Sequence, residues 1–492
     1  MDELAILGGK KVREIPFPKH PIIGEEEKNQ ILEVLESGNL STFVAAPGEN
    51  FLGGKKIREF EEKFAKKFGT KFAIAFNSAS SALHAAVVSV GINPGDEVIV
   101  PPYTFTSTAT SALMHNAIPA FCDVKEDTFC LDPSKLLSVY SNLSKAIIPV
   151  HLFGHACDMD EIMEFAKKKN LKVIEDCAQS PGGKYKNQNL GTIGDCGIFS
   201  FQETKNMTTG EGGMLITNDE NIARTAQMVR NHGEMIIPSQ KSRSYVSEFL
   251  GWGYRMTEIE AALGIAQLSK LDFFNNERIK LAEYLSSEIN KIEGLKHVKY
   301  NFVKHVYYVF AFSFDEDKIG ISRNKFCKSL NAEGIPCGAG YVKPLYLNPL
   351  YLEKRSFAFK HYTGNLEYFK GLCPVTEKLH EEQVVTIAIV RPPATIDDMK
   401  DIGGEAADTS EIDADIMMKK FRKDKYLVAT EACGFNEQYL VLGGKNLEVQ
   451  EEQLEVAEDA SVAQLARAFK KFSAGKLEKR KLLSRFIDMV AA

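Results

Sequence analysis

The sequence lacks the features that define several large classes of protein. It has no apolar run long enough to span a bilayer, and residues 1–4 are acidic and carry no apolar signal core. The nine cysteines are scattered, without the close CxxC pairs of zinc or redox sites. No Lys/Arg stripe with interleaved aromatic residues appears, and the net charge of -6 is mild. We therefore expect a cytoplasmic protein with reduced thiols and a small-molecule ligand, which binds neither membrane nor nucleic acid.

The pattern of apolar residues predicts an α/β fold. The 492 residues, 44% of them hydrophobic and 26% charged, exceed what one compact domain usually holds. From residue 57 onward, helical and strand-like stretches alternate, as a parallel sheet with crossover helices requires. The predicted helices are 57–68 and 80–91, and the predicted strands are 72–76, 97–100, 146–150, 173–175 and 197–201.

The character of the sequence changes twice along the chain. Long helical patterns at 256–268 and 271–292 lead to a strand-like stretch at 306–314 and a helix at 322–331, which predicts a smaller α+β domain. After Gly403 and Gly404 an acidic stretch begins, and amphipathic segments follow. The predicted parts are an N-terminal segment 1–20, a large domain 21–265, a small domain 266–402 and a helical extension 403–492 of unknown role.

Three segments carry side chains suited to one chemistry. In the first, Ser78, Ala79 and Ser80 lie between a predicted strand and a helix. Free N–H groups and the dipole at the helix start form an anion site, to which serine hydroxyls add donors. The alternative interpretation is an ordinary serine N-cap.

The second segment is an apolar strand that ends in Glu175 and Asp176. Ligands of open α/β sheets bind at the carboxyl ends of strands, so Asp176 would face the crevice. A carboxylate there can hold a pyridine nitrogen protonated, which makes the ring an electron sink. A helix cap is the alternative.

In the third segment, Lys205 lies between a strand-like run and a glycine turn that allows a ligand to approach the backbone. A lysine in a crowded, partly desolvated site forms Schiff bases. A lone lysine is nearly always a solvated surface charge, so the interest of this one depends on the other two segments.

Together the three segments resemble the DegT-type (DegT/StrS) sugar aminotransferases, which use pyridoxal 5'-phosphate (PLP) and have the aspartate-aminotransferase fold, fold type I. Asp176, Ser200 and Lys205 are separated by 24 and 5 positions, as in that family. The resemblance covers roughly residues 5–400. It implies a mostly parallel central sheet with flanking helices and a smaller C-terminal domain.

The resemblance also implies a role for each matching residue. Lys205 corresponds to the lysine that forms the Schiff base with PLP and shuttles the proton, and Asp176 to the partner of the pyridine nitrogen. Gln179 corresponds to the residue that contacts the ring hydroxyl, and Phe105 to the aromatic that stacks on the ring. The residues that match the phosphate cup are Ser78, Ala79, Ser80 and Ser200.

The family resemblance further implies a homodimer or a higher homo-oligomer, because the segment 251–258 reaches the neighbouring subunit in that family. For Trp252 and Tyr254 a buried dimer contact is the alternative interpretation. Two residues depart from the pattern. Gly253 stands where the family usually has an asparagine that meets the phosphate across the dimer, and Ala79 stands where glycine is common.

His151 and His155 have a four-residue spacing that suggests a metal site. However, Gly154 makes it unfavourable for the two histidines to lie on one face of a helix, so we expect no metal.

The predicted reaction transfers an amino group from glutamate or glutamine to a keto-sugar, and a nucleotide-linked keto-sugar is the first choice of acceptor. Residues 4–10 and 16–18 resemble the branch that acts on cyclitol ketones and aminohydroxybenzoate precursors, which is the alternative. A related branch that dehydrates sugars has histidine in place of Lys205. A non-catalytic regulatory homologue would not need to keep that lysine.

Overall fold

A computed structural model of the chain describes residues 4–44, 49–234 and 246–410. Its helices are α1 (Glu25–Ser37), α2 (Lys55–Phe68), α3 (Ala79–Ser89), α4 (Ser107–Met114), α5 (Leu136–Val139), α6 (Met159–Lys169), α7 (Glu220–Arg230), α8 (Glu258–Ile289), α9 (Glu316–Ile319), α10 (Arg323–Ala332), α11 (Pro349–Leu352), α12 (Pro374–Lys378) and α13 (Ile396–Ser410). Its strands are β1 (Phe72–Phe76), β2 (Glu97–Val100), β3 (Ile118–Phe121), β4 (Ser144–Ile147), β5 (Lys172–Asp176), β6 (Lys184–Tyr185), β7 (Gln188–Asn189), β8 (Cys196–Ser200), β9 (Gly213–Thr217), β10 (Leu295–Lys296), β11 (Val303–Lys304), β12 (Phe310–Phe314), β13 (Gly338–Ala339) and β14 (Val384–Ile387). None of these helices combines the length and the apolar character needed to cross a bilayer.

A seven-stranded sheet forms the centre of the molecule, in the order β1-β9-β8-β5-β4-β2-β3. Neighbouring strands pair in parallel from β8 to β3, whereas β9 runs antiparallel to both β8 and β1. Parallel strands covered by helices on both faces are mostly buried, which explains why apolar residues form the middle of strands such as β2 and β5. The predicted α/β class with a mostly parallel central sheet is confirmed.

Helix α2 shows how the sequence produces this packing. Ile57, Phe60 and Phe64 lie on one face and are fully buried, and each contributes about 1.5–3 kcal/mol of burial free energy. The helix ends at Gly69, whose positive φ of 77° suits the left-handed cap. Helix α8 packs so closely against α2 that a Cβ at Gly264 would lie 2.6 Å from the Phe60 ring, and glycine at this position makes the approach possible.

Two predictions about the middle of the chain were inaccurate. The helical patterns at 256–268 and 271–292 form one 32-residue helix, α8, which begins with a capping box between Thr257 and Glu260. The predicted strand at 306–314 begins only at Phe310, since the backbone of Val306 and Tyr308 bonds to the loop at Phe153 and Gly154 instead of to a strand. Pattern alone does not reveal such a partner.

A four-stranded antiparallel sheet, in the order β10-β12-β14-β13, forms a smaller layer with α10 and α13. Helix α13 buries Met399 and Ile402 and continues through Gly403 and Gly404 to Ser410. Residues 4–6 and 10–410 form one compact unit. Most of the extension predicted at 403–492 lies outside the described residues.

Candidate active site

The start of helix α3 is a cluster of hydroxyl groups. Ser78 is the N-cap, and its Oγ accepts a hydrogen bond from the Ser81 N–H at 3.1 Å. The beginning of β9 lies against it, because a Cβ added at Gly213 would come within 2.4 Å of the Ser78 carbonyl oxygen. Gly213 also pairs with Ser200 at the end of β8. Ser78 and Ser200 are therefore brought together around one glycine.

Asp176 lies at the carboxyl end of β5 and is 4% exposed. Its carboxylate accepts hydrogen bonds from the Thr108 hydroxyl at 2.8 Å and from the Ala178 N–H at 3.1 Å. Burial raises the pKa of Asp176, although these two bonds and the charge of Lys205 oppose the shift. No described cation forms an ion pair with this carboxyl.

Hydrogen bonds join the first two segments. The Ser80 hydroxyl lies 2.6 Å from that of Ser107, which precedes Thr108 on the first turn of α4. Phe105 stands just before this helix, and its carbonyl accepts the Thr108 N–H at 3.2 Å. The Phe105 side chain is 60% exposed, so an aromatic face remains open beside these hydroxyl groups.

Lys205 is half-buried in the turn that follows β8. Its N–H donates to the Gln202 carbonyl at 2.9 Å, and its Nζ lies 4.0 Å from the centre of the Tyr308 ring. The Tyr308 hydroxyl lies 2.9 Å from that of Thr204. Burial alone would raise the pKa of Tyr308, but Lys205, the Thr204 hydrogen bond and Arg391 outweigh it, and the net shift is downward.

Gln179 is 3% exposed, and both ends of its amide are held. Its Oε1 accepts the Phe153 N–H at 2.7 Å, and its Nε2 donates to the Tyr341 hydroxyl at 3.0 Å. The Tyr341 ring meets Phe153 and Tyr103 edge-on, at centroid distances of 5.0 and 5.9 Å. This packing fixes the orientation of the amide.

Arg391 adds a second cation close to Lys205. Its Nη1 donates to the Thr204 carbonyl at 3.3 Å, and it forms no ion pair with any described carboxylate. Burial lowers its pKa, yet a guanidinium stays charged. Burial, together with the Arg391 and Arg278 charges, lowers the pKa of His20 to about 4, so that ring is neutral at physiological pH.

His151, Glu175 and Cys177 lie close enough together to suggest a metal site. However, His151 Nε2 lies 3.0 Å from Glu175, and His151 Nδ1 accepts the Cys157 N–H at 3.1 Å. The Glu175 carboxylate also accepts three backbone N–H groups from residues 191–194. The imidazole and the carboxylate are thus engaged in internal hydrogen bonds, and His155 bonds separately to the Ala156 carbonyl.

The segment around Gly253 forms an aromatic group. The rings of Trp252 and Tyr254 stack at 5.5 Å, and the Tyr254 hydroxyl lies 3.1 Å from His84 Nδ1. Gly253 itself is exposed, and a Cβ there would meet only the His232 ring, at 3.4 Å. The position has room for a larger side chain.

Sequence reasoning missed several neighbours of the predicted residues. Thr108 lies in a run of serines and threonines in which nothing marks one hydroxyl above another. Tyr308, Tyr341 and Arg391 come from distant parts of the chain, in stretches without a catalytic motif. Only the folded structure brings them close to Lys205, Gln179 and Thr204 respectively.

The fold, together with this cluster at the carboxyl ends of β5 and β8, defines a PLP-dependent transferase of the aspartate-aminotransferase type. Comparison with known proteins agrees. Residues 21–390 match the DegT/DnrJ/EryC1/StrS aminotransferase family, and the chain belongs to that family. The predicted family and the predicted aminotransferase class are confirmed.

Three similar proteins illustrate the match. GDP-perosamine synthase of Caulobacter vibrioides is 36% identical over 334 residues, covering 67% of this chain and 85% of that protein. Spore coat polysaccharide biosynthesis protein SpsC of Bacillus subtilis is 35% identical over 356 residues, covering 71% and 89%. The crystal structure of an aminotransferase from Psychrobacter cryohalolentis superimposes with a TM-score of 0.71 at 32% identity, covering 79% of this chain and 98% of that one.

Proposed function

We propose that the protein transfers an amino group from glutamate or glutamine to the keto group of a sugar, using PLP held as a Schiff base on Lys205. The observation that carries the proposal is a pair of hydrogen bonds, from Ser80 to Ser107 and from the neighbouring Thr108 to Asp176, on the same sheet edge as Lys205. Together these bonds connect hydroxyl groups suited to a phosphate with a carboxyl suited to a pyridine nitrogen.

The residues present fit PLP part by part. Asp176 is a buried carboxyl without a cationic partner among the described residues, and a protonated ring nitrogen would supply one. Gln179 offers an amide to the ring hydroxyl, and exposed Phe105 offers a face for the ring. The hydroxyl and backbone groups that would hold the phosphate belong to Ser78, Ala79, Ser80 and Ser200.

Bound PLP supplies an electron sink for the carbon that loses or gains a proton. The protein's own groups do the rest. The Lys205 Nζ would hold the cofactor covalently, and as a free amine it would move the proton. Thr108 orients the Asp176 carboxylate through its hydroxyl, and Tyr308 limits the positions open to the lysine chain through its ring. Asp176 and Lys205 are the catalytic residues in this scheme, and Thr108 and Tyr308 are positioning residues.

Arg391 supports an amino donor that carries a carboxylate. It is a partly buried guanidinium near Lys205 without a described counter-ion. Guanidinium and carboxylate form paired hydrogen bonds, so an amino acid such as glutamate or glutamine satisfies this cation. A neutral amine donor would leave the cation unpaired.

The name of the Caulobacter relative supports a nucleotide-linked sugar as acceptor. The opening residues 4–10 and 16–18, which resemble the cyclitol and aminohydroxybenzoate branch, support the alternative acceptor class. We also propose a homodimer, in which the exposed Gly253 and its aromatic neighbours face the partner.

The test is a pair of half-reactions followed by cofactor absorbance. Purified protein loaded with PLP should lose the band of the lysine-bound cofactor on addition of glutamate or glutamine, and a keto-sugar acceptor should restore it. Alanine and aspartate are the comparison donors. A protein that shows the band but responds to no amino acid would be a binding or regulatory homologue, and the proposal would be wrong.

A further inference from the structure

A cavity of about 590 Å³ lies apart from the active site, between helix α8, the β6–β7 hairpin and the segment 299–307. Four lysines line it, Lys184, Lys186, Lys299 and Lys304, against one carboxylate, Glu283. Glu283 pairs with Lys299, and Lys186 pairs with Asp160. The other two lysines, Lys184 and Lys304, remain without a carboxylate partner among the residues that line the cavity.

Lys184 and Lys304 stand directly opposite each other on the antiparallel pair β6 and β11. Like charges in this position repel and destabilise the strand pair. Neither lysine forms an ion pair with a carboxylate in the described part of the chain. Burial and the charges of Lys184 and Lys67 lower the pKa of Lys304, although Asp272, which itself pairs with Lys67 at 2.8 Å, partly offsets them.

Aromatic rings line the same cavity. Phe302 is 42% exposed, and its ring centre lies 5.4 Å from that of Tyr300. Such exposed aromatic faces can stack on a planar base. His155, also in the lining, is 6% exposed and donates from Nδ1 to the Ala156 carbonyl. The cavity thus combines cations with an aromatic face.

The chain separates this cavity from Lys205. Tyr307 lines the cavity and the next residue, Tyr308, lies against Lys205. Tyr307 has a positive φ of 47°, an unfavourable conformation for a residue with a side chain. The ligands of the amino transfer therefore meet the opposite side of this segment.

We propose that this cavity is a second ligand site, which binds a nucleoside diphosphate with its phosphates between Lys184 and Lys304 and its base against Phe302. Two lysine ammonium groups are opposite in charge to a diphosphate and provide up to three N–H donors each. Bound phosphate also removes the repulsion across the strand pair. The proposal does not depend on which sugar the enzyme aminates.

The test uses full-length protein loaded with PLP and titration calorimetry with guanosine diphosphate, uridine diphosphate, inorganic pyrophosphate and guanosine. We expect nucleotide binding at the cavity, one equivalent per chain, to weaken at least tenfold in Lys184→Met/Lys304→Met, while nucleotide binding in the active site is unaffected. The matched control Lys66→Met/Lys145→Met removes two exposed lysines that do not line the cavity and should bind like the wild type. A nucleotide in the active site would persist in both variants, so only the difference between them reports on the cavity.

Two further readouts complete the test. Without nucleotide, the cavity variant should unfold at or above the wild-type midpoint, because it relieves the repulsion. If it does not fold, Lys184→Gln alone should show a weaker form of the same binding loss. Equal nucleotide binding in wild type and cavity variants would overturn the proposal, as would pyrophosphate binding as tightly as the nucleotides.

Discussion

Lys205 and Tyr308 form a cation–π pair, with Nζ 4.0 Å from the ring centre. Such a pair contributes about 0.5–2 kcal/mol. We expect Tyr308→Phe to retain most of the activity, because the ring face remains, and Tyr308→Leu to lose about threefold to thirtyfold in kcat/KM. The measurement is steady-state kinetics with the cofactor occupancy of each variant determined by absorbance. If Leu and Phe behave alike, the hydroxyl or mere volume matters and the ring face does not.

Lys205→Ala should abolish turnover and the absorbance band of the lysine-bound cofactor while the fold persists. The side chain is only half-buried and its Nζ forms no described ion pair, so little stability depends on it. The control is Lys172→Ala, which removes an exposed lysine at the far end of β5. Turnover within about tenfold of wild type in Lys205→Ala would show that another residue forms the Schiff base.

Asp176→Asn should separate catalysis from stability. Activity is expected to fall by about a thousandfold or more, since a neutral amide cannot hold the ring nitrogen protonated. The cofactor-free protein should be as stable as the wild type or more stable at pH 7. Burial raises the pKa of Asp176 in the folded protein. The contribution of this carboxyl to stability therefore becomes less favourable as the pH rises above the pKa that it has in the unfolded chain. Asparagine can still accept from Ala178 and donate to Thr108.

Thermal unfolding and kinetics of the same Asp176→Asn preparation provide the comparison. Thr108→Val is the companion variant, because it leaves the carboxyl in place but removes its 2.8 Å hydrogen bond. A modest loss of activity, about tenfold, with the acidic limb of the pH profile moved to higher pH, is the result expected of a positioning residue. An unshifted profile would mean that Thr108 only fills space.

The apolar pattern predicted five strands of the central sheet, whereas β3 and β9 were not predicted. Strand β1 is a continuous apolar run, Asp176 ends β5, and Lys205 lies five positions after the end of β8. The partners of these residues could not be predicted. Thr108 meets Asp176 across 68 positions, and Tyr308 meets Thr204 across 104. Contacts between distant loops depend on tertiary packing, which a local pattern of apolar residues does not encode.

Acid should destabilise the protein through its buried histidines. His84 is fully buried, and burial followed by the neighbouring His115 lowers its pKa to about 4. In the unfolded chain the pKa of histidine is about 6.5. Between pH 4 and pH 6.5 the unfolded chain therefore binds more protons than the native protein, and stability falls as the pH drops through this range. In His84→Gln the thermal midpoint should fall less steeply from pH 6.5 to pH 4.5. Parallel curves for variant and wild type would refute this assignment.

A truncation can locate the end of the catalytic unit. Residues 4–6 and 10–410 form one compact unit, and α13 packs on α8 and α10 with Met399 and Ile402 buried. We expect a chain ending at Ser410 to be soluble and to bind PLP, and a chain ending at Thr395 to aggregate. Light scattering and cofactor absorbance measure both. A PLP-free or insoluble product from the longer chain would show that residues 411–492 are needed for the fold.

Gly213 lies at a close approach between β9 and the start of α3, since a Cβ there would meet the Ser78 carbonyl oxygen at 2.4 Å and the Ala79 nitrogen at 2.6 Å. Both are backbone atoms, which cannot rotate aside as a side chain does. In a saturation library, alleles at codon 213 should therefore be depleted by a screen for soluble expression as well as by growth complementation. Alleles at codon 205 should be depleted by complementation alone. The contrast between the two screens would distinguish a residue kept for shape from one kept for chemistry.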